Sequence, residues 1–309
     1  MFSEPRTYQG EKALEAMRNL LRQGRLADNG TYYVHPGDLN WWLFYPPLEH
    51  DFWESLYLWD DPAAAGQILG WALISPTGST FDVALRPGLR GSPLAWEMYQ
   101  WAVDRLSALA KHAGREQMGV FWIAEQDELL QGWLIAQGFA LASRDAHLVC
   151  DLAEPGPAQP LPQGYQVRSS NGLVEVKQRA WAQYNAFDNS ADFDVYVQRF
   201  TRFMQSPVYH PERDVVVQTP DGQIGAFCIF WPDSQTGIGL FEPVGTHPDH
   251  QRKGLGRAVM LEGLERLRRL GEFKAIVTTG EDNLPAIRLY ESVGFHTRRR
   301  LLYYKKRII

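Results

Sequence analysis

The sequence predicts a mixed α/β fold built twice in tandem, and three observations predict it. First, short patterns recur at one spacing. Gly66-Gln67-Ile68 returns as Gly222-Gln223-Ile224, and Ala136-Gln137-Gly138-Phe139 returns as Ser292-Val293-Gly294-Phe295, both 156 residues on. A spacing shared by two separated places is the mark of a duplicated unit. Second, the segment from Glu154 to Gly164 holds four prolines and two glycines, which rule out a helix or a central strand there. Third, in each half apolar runs of strand length come first in hairpin order and then alternate with helical stretches. The predicted division is a domain over residues 1–153, a linker over 154–163 and a second domain over 164–309.

The second half is the easier to read. Tyr165 to Arg168 is a short strand, followed by helices over Leu173 to Tyr184 and Asp194 to Met204. Asp214 to Gln218 and Gln223 to Trp231 are strands, and Thr219-Pro220-Asp221-Gly222 between them is turn chemistry. Ile238 to Thr246 is a third strand. In Leu255 to Leu270 the apolar residues Leu255, Val259, Leu264 and Leu267 fall at helical spacing, with Gly271 as the stop. Phe273 to Thr279 is a strand, Leu284 to Ser292 a helix and Phe295 to Arg307 a last strand. The first half repeats the order with strands at Glu54 to Trp59, Gln67 to Ile74 and Thr80 to Leu85, a helix at Leu94 to Ala110, a strand at Met118 to Ala124 and a helix at Glu128 to Ala136.

Composition excludes several classes of protein. With 45% apolar and 13% aromatic residues, the 309-residue chain can bury two ordinary cores and is not disordered. A net charge of −5 argues against a nucleic-acid partner, which needs a basic face. Cys150 and Cys228 lie in separate apolar runs and form neither a disulfide framework nor a metal motif. The N-terminal residues lack the apolar stretch of a leader peptide, and no window is apolar enough to span a bilayer. The expected setting is the cytoplasm, without a membrane partner.

The chemistry concentrates in one segment. The strand ending at Thr246 runs into Gln251-Arg252-Lys253-Gly254-Leu255-Gly256-Arg257, where a helix opens. Gly254 and Gly256 present no side chain to an approaching anion. The free N–H groups and dipole of the helix start favour negative charge, and Gln251, Arg252, Lys253 and Arg257 add donors. The spacing is neither that of a Walker loop nor that of a Rossmann fingerprint. His247 and His250, separated by a proline, make a poor chelate, and no metal is expected. The basic runs Arg298 to Arg300 and Lys305 to Arg307 read as charge on an edge strand.

Gln251-Arg252-Lys253-Gly254-Leu255-Gly256 resembles the cofactor signature of the GNAT superfamily of N-acetyltransferases. The segment from Asn283 through Tyr290 to Phe295 resembles that family's second signature. The resemblance covers the second half. It implies two tandem GNAT domains, each a mixed central sheet with flanking helices and a splayed strand pair, and acetyl-CoA as the co-substrate. It places the cofactor between the strands Ile238 to Thr246 and Phe273 to Thr279, with Val244 and Thr246 beside the pantetheine arm, the pyrophosphate on the turn Gln251, Arg252, Lys253, Gly254, Leu255, Gly256 and Arg257, and Asn283 on the cofactor arm. Tyr290 falls on the tyrosine that such enzymes use as general acid. A phenol with pKa near ~10 is a proton donor at neutral pH.

Glu242 lies on the strand entering the turn, where such enzymes often carry a carboxylate, and is the base expected to take the proton of an ammonium substrate. Strand alternation would set Glu242, Val244 and Thr246 on one face. The first half departs from the pattern. Pro87-Gly88-Leu89-Arg90-Gly91-Ser92-Pro93 stands where the cradle should be, and Leu134 and Asp127 stand where Tyr290 and Asn283 would. It resembles a degenerate GNAT domain in an arrangement like that of mycothiol synthase and related two-domain acetyltransferases. The cluster Trp41 to Tyr45 is either core or the lining of an acceptor pocket. The expected reaction is acetylation of a small-molecule primary amine, by a monomer or homodimer. Acetylation of a protein N-terminus or lysine, and acetyl-CoA sensing without turnover, are the alternatives.

Overall fold

Among the described residues, twelve strands and eight helices follow the predicted order closely after residue 56. In the first half lie β1 (Arg6–Thr7), α1 (Glu11–Asp28), α2 (Pro36–Phe44), β2 (Leu56–Asp60), β3 (Ile68–Ser75), β4 (Thr80–Leu85), α3 (Pro93–His112), β5 (Gln117–Ala124), α4 (Glu128–Ala136) and β6 (Ala140–Asp151). The second half holds β7 (Gln166–Ser169), α5 (Val176–Ala186), α6 (Phe193–Met204), β8 (Asp214–Gln218), β9 (Ile224–Trp231), β10 (Ile238–Thr246), α7 (Leu255–Arg269), β11 (Lys274–Gly280), α8 (Leu284–Ser292) and β12 (His296–Arg307). This computed structural model describes the chain apart from residues 1–3, 8–9, 49–51, 76–78, 155, 157–159, 188–189 and 309. Part of the predicted linker, and the first residues read for a leader, therefore lie outside the described residues. Among the described residues no helix is long and apolar enough to cross a membrane.

The 156-residue spacing extends to whole elements. β3 and β9, α4 and α8, and β6 and β12 each begin and end at positions separated by it. The compact units, however, do not follow the 1–153 and 164–309 division. One comprises residues 1–36, 51–146 and 299–309, the other residues 37–50 and 147–298. Leu301–Arg307 of β12 therefore pairs antiparallel with β5 inside the first unit. The closing residues of β6, from His147, belong to the second unit, where β6 neighbours β11. The basic residues of β12 thus lie on a paired strand, not on the free edge expected from sequence. A strand's pattern records which face is buried, not which neighbour covers its backbone, so this exchange left no local signal.

The first unit runs β1-β2-β3-β4-β5, antiparallel except for a parallel β4–β5 contact at Thr80–Gly119 and Phe81–Val120. Its core gathers Trp59, Phe81, Met98, Leu106 and Tyr304. Helix α1, which the sequence reading passed over, buries Ala13, Leu14, Met17, Leu20 and Leu21 at three- and four-residue intervals and stops at Asn29 in the left-handed region.

The second unit runs β7-β8-β9-β10-β11. β9 is buried at every residue, as a strand covered on both faces must be. Under it lies a fully buried ion pair. Arg179 Nε of α5 donates to Asp214 Oδ1 of β8 at 2.9 Å, and both side chains are 0% exposed. Tyr209 Oη donates to Asp214 Oδ2 at 3.1 Å, and the Arg179 guanidinium lies 3.9 Å from the Phe227 ring centroid. Removing one member of such a pair leaves a charge with no water to solvate it. Asp214→Ala should therefore destabilise the second unit by about 3–5 kcal/mol, read as a lower denaturation midpoint. The double change Arg179→Met with Asp214→Leu should cost less than Asp214→Ala alone.

Candidate active site

The site begins with a strand that leaves its neighbour. β10 pairs in parallel with β11 over Ile238–Leu240 against Lys274–Ile276, and the pairing stops there although both strands continue, to Thr246 and Gly280. On its other side β10 stays paired to β9. Phe241 opposes Phe230, the register then shifts, and Val244 opposes Cys228. Glu242 and Pro243 form the bulge, joined by a cis peptide bond. Pro243 has no N–H to offer either neighbour, which suits it to a bulge at the end of a ladder. The Glu242 carbonyl is held by the Trp231 indole, whose Nε1 donates to it at 2.7 Å. The bulge also breaks the simple alternation from Glu242 to Val244, which corrects the expectation that Glu242, Val244 and Thr246 share one face.

Glu242 is half-buried as a residue, but its Oε2 is buried and makes no hydrogen bond. Burial and then the like charge of Asp38 hold Glu242 well above the usual carboxylate range. Sequence reading missed Asp38 because it lies more than two hundred residues away on α2.

Packing brings it there. Tyr45, just past α2, is 6% exposed and stacks on Trp41 at 4.2 Å. Its ring meets Tyr196 and Phe200 of α6 edge-on at 6.4 and 5.7 Å. Its hydroxyl accepts from Gln183 Nε2 at 3.4 Å. Its carbonyl accepts from Arg199 Nε at 3.1 Å, and Arg202 Nη2 donates to the Pro46 carbonyl at 2.7 Å. Of the Trp41 to Tyr45 cluster, Tyr45 is therefore core of the second unit.

Tyr290 of α8 is 5% exposed, with its ring 6.0 Å from that of Phe295. Burial, then Cys228 and Glu242, raise its phenol above the ordinary value, so it keeps its proton at neutral pH. The raised carboxyl of Glu242 is among the charges that act on this phenol.

The glycine-rich turn closes the strand. Arg252 and Gly254 both have positive φ, 59° and 77°. Gly254 is the N-cap of α7 and supplies no side-chain cap, so the first-turn N–H groups keep their donor capacity. Gln251, Arg252 and Lys253 are exposed. Lys253 Nζ donates to the Asp249 carbonyl at 3.0 Å and to Tyr165 Oη at 3.3 Å, and Arg257 Nε to the Ser292 carbonyl at 3.4 Å. Leu255 is a core residue, 1% exposed. Asn283 caps α8 by accepting from Ala286 N–H at 3.3 Å, while its Nδ2 donates to Thr279 Oγ1 at 3.1 Å.

The matching helix of the first unit, α3, opens differently. The Ser92 hydroxyl accepts from Ala95 N–H at 3.2 Å and Pro93 fills the first position, so that helix start caps itself. Among the described residues no group of three His, Cys, Asp or Glu side chains is placed to hold a metal ion.

A diverging parallel strand pair followed by an uncapped glycine turn defines a class, and comparison with known proteins gives the same one. Residues 173–295 match the acetyltransferase (GNAT) family. The fold of the chain is that of a tandem GNAT protein. It superposes on a tandem GNAT protein from the clavulanic acid biosynthesis pathway with a TM-score of 0.72 at 16% identity, covering 99% of this chain and 98% of the other. A GCN5-related N-acetyltransferase from Sphaerobacter thermophilus gives 0.66 at 19% identity, over 97% and 94%. Among curated sequences, the mycothiol acetyltransferase of Thermobifida fusca is 29% identical over 63% of this chain and 60% of its own length. That of Thermobispora bispora is 27% identical over 74% and 77%.

Gly256 has a packing duty beside any role toward an anion. A Cβ there would lie 3.0 Å from Thr246 Oγ1 and 3.2 Å from Leu289 Cδ2. Gly256→Val should lower stability by about 1–3 kcal/mol through overpacking, visible as a lower thermal midpoint with no ligand present.

Proposed function

We propose that the chain is an acetyl-CoA-dependent N-acetyltransferase for a small-molecule primary amine, with its working site in the second unit. One observation carries the reading. Glu242 lies just past the point where β10 parts from β11, and its charge helps to raise the phenol of Tyr290, which supports the pair as proton acceptor and proton donor. Mere binding of a cofactor would need neither. The name of the curated relatives, mycothiol acetyltransferase, supports a small-molecule acceptor over a protein one.

The residues present fit acetyl-CoA. The β10 edge beyond Leu240 has no partner on β11, so backbone groups near Val244 and Thr246 are open to an extended arm. The uncapped first turn of α7, with Gln251, Arg252, Lys253, Gly254, Leu255, Gly256 and Arg257, suits a pyrophosphate. Asn283, the N-cap of α8 a few residues past β11, is the residue assigned to contact the arm. Bound there, the co-substrate supplies an activated thioester carbonyl. The protein contributes orientation and proton transfer. Glu242 takes a proton from the acceptor's ammonium, freeing the nitrogen lone pair for attack, and Tyr290 donates its proton to the departing sulfur.

The contrast between the two helix starts leads to the first test. Calorimetry should give about one acetyl-CoA site per chain, because α3 is capped by Ser92 and α7 is not. Two equivalent sites would refute the assignment of binding to the second unit. The second test concerns the acid. Tyr290→Phe keeps the ring and removes its only transferable proton. In a thiol-release assay over a panel of amines, kcat should fall by roughly 10²–10⁴ while acetyl-CoA affinity stays nearly constant. Turnover at the wild-type rate would remove Tyr290 from the mechanism.

A further inference from the structure

We propose that Trp231 is a positioning residue for the base: its indole N–H holds the Glu242 peptide turned out of the sheet and so fixes where the Glu242 carboxyl stands. The inference rests on the function proposed above and adds to it a residue that touches no substrate.

Trp231 closes β9 and is 3% exposed. Side chains alternate across a strand, so its ring lies on the same face as Ile229. Both belong to the core that Phe200 and Phe203 of α6 cover, and the Trp231 ring lies 6.3 Å from that of Phe203. From this face its Nε1 donates to the Glu242 carbonyl at 2.7 Å. Carbonyls of a regular ladder point along the sheet toward the neighbouring strand, whereas side chains stand roughly perpendicular to it. An indole above the sheet reaches such an oxygen at this distance only when the peptide has turned toward it.

The register shows the same turn. Leu240 faces Trp231 and Phe241 faces Phe230, but the next pair is Val244 with Cys228. Glu242 and Pro243 therefore share the single place opposite Ile229, as in a bulge. The end of the Glu242 side chain does not secure itself. Its Oε2 is buried and makes no hydrogen bond, so the direction of the carboxyl follows from the backbone that carries it. That backbone is held at its carbonyl by the indole.

The first unit supplies an internal comparison. β3 ends on Ser75 where β9, 156 residues on, ends on Trp231. The β3–β4 ladder runs from Ser75–Thr80 to Gly70–Leu85 without a shift, and Leu73, at the place of Ile229, faces Asp82 alone. The hairpin without the indole is regular, and the hairpin with it is bulged.

The consequence is chemical. Glu242 takes the ammonium proton only from within about 2.6–3.2 Å, heavy atom to heavy atom, and a misplacement of about 1 Å can cost roughly 10²-fold in rate. Trp231 sets that distance through the bulge. Val244 stays paired to Cys228, and the turn from Gln251 to Arg257 lies farther along the chain, so cofactor binding depends on the indole less.

The test removes the N–H and keeps the ring. Trp231→Phe does so with a smaller ring, which leaves space in a buried core. A second variant therefore carries benzothienylalanine at position 231, in which sulfur replaces the N–H and the bicyclic shape is kept. In the thiol-release assay, below its thermal midpoint, the benzothienylalanine protein should lose roughly 10²-fold in kcat, with acetyl-CoA affinity by calorimetry changing far less. The loss should shrink as pH rises through the pKa of the amine, because an amine that is already neutral no longer needs Glu242 to free its lone pair. Trp231→Phe should show the same pH dependence. A folded benzothienylalanine protein with wild-type kcat, or a loss of the same size at every pH, would overturn the proposal and leave Trp231 a packing residue.

Hydrogen exchange needs no substrate and separates the two readings. In the benzothienylalanine protein the amide of Val244, just past the bulge, should exchange roughly fivefold faster, the worth of about one hydrogen bond. Unchanged exchange would refute the hold of Trp231 on the bulge whatever the activity. Faster exchange in a protein whose wild type acetylates no amine would sink the functional reading and leave that hold standing.

Discussion

Everything at the site depends on one interruption of backbone pairing. β10 is paired on both sides up to Leu240 and on one side after it. The bulge at Glu242–Pro243 lies just past that point. A residue without an N–H cannot extend a ladder, and an inserted residue bends the strand that carries it. The same two residues therefore open an edge of unused backbone donors and acceptors and place a carboxyl beside it. The Trp231 indole, bonded to the Glu242 carbonyl, keeps the bulge from relaxing into regular strand. The uncapped turn at Gly254 follows a few residues on. The proposed cradle and the placement of Glu242 are thus two consequences of how one strand ends.

The second constraint is charge kept away from water. Arg179 and Asp214 are fully buried beneath β9 and are held by each other, by Tyr209 and by the Phe227 ring, although Arg179 Nη2 has no hydrogen-bond partner. The next links outward from Arg179 are Gln183 and then Tyr45, through hydrogen bonds of 3.3 and 3.4 Å. Through Tyr45 this polar chain reaches α2, which carries Asp38. A buried ionic network demands definite geometry from its members, and here it ties a segment from the first half of the chain to the core of the second unit. The site is therefore not contained in the segment that matches the GNAT family.

Much of this was legible locally. The strands from β8 to β11 and the helices α7 and α8 follow apolar periodicity and turn chemistry, and their observed ends differ from the expected ones by at most one residue. α5 differs more, because a 3-10 turn over Gly172–Glu175 replaces its predicted first turn. The left-handed Gly254 and the cap at Asn283 stand where the residue types asked for them. α1 was equally legible in its spacing of Leu14, Met17 and Leu21 and was simply not read. What periodicity could not reveal was partnership. β6 and β12 stand at matching places, 156 residues apart, and only backbone pairing decides which unit each one completes.

The sequence by itself determined the elements, their duplication at a 156-residue spacing, the glycine turn and the identity of Glu242 and Tyr290 as candidate acid–base residues. These are local properties, written in side-chain period, in backbone freedom at glycine and in the chemistry of single residues. The tertiary structure alone decided that Glu242 lies on a bulge out of phase with Val244, that β12 ends in the first unit, and that the charge of Asp38 from α2 acts on Glu242. Each of these depends on contacts between residues far apart in the chain. Such contacts are set by which buried surfaces and hydrogen-bonding groups can be satisfied together, and no local stretch of sequence carries that information.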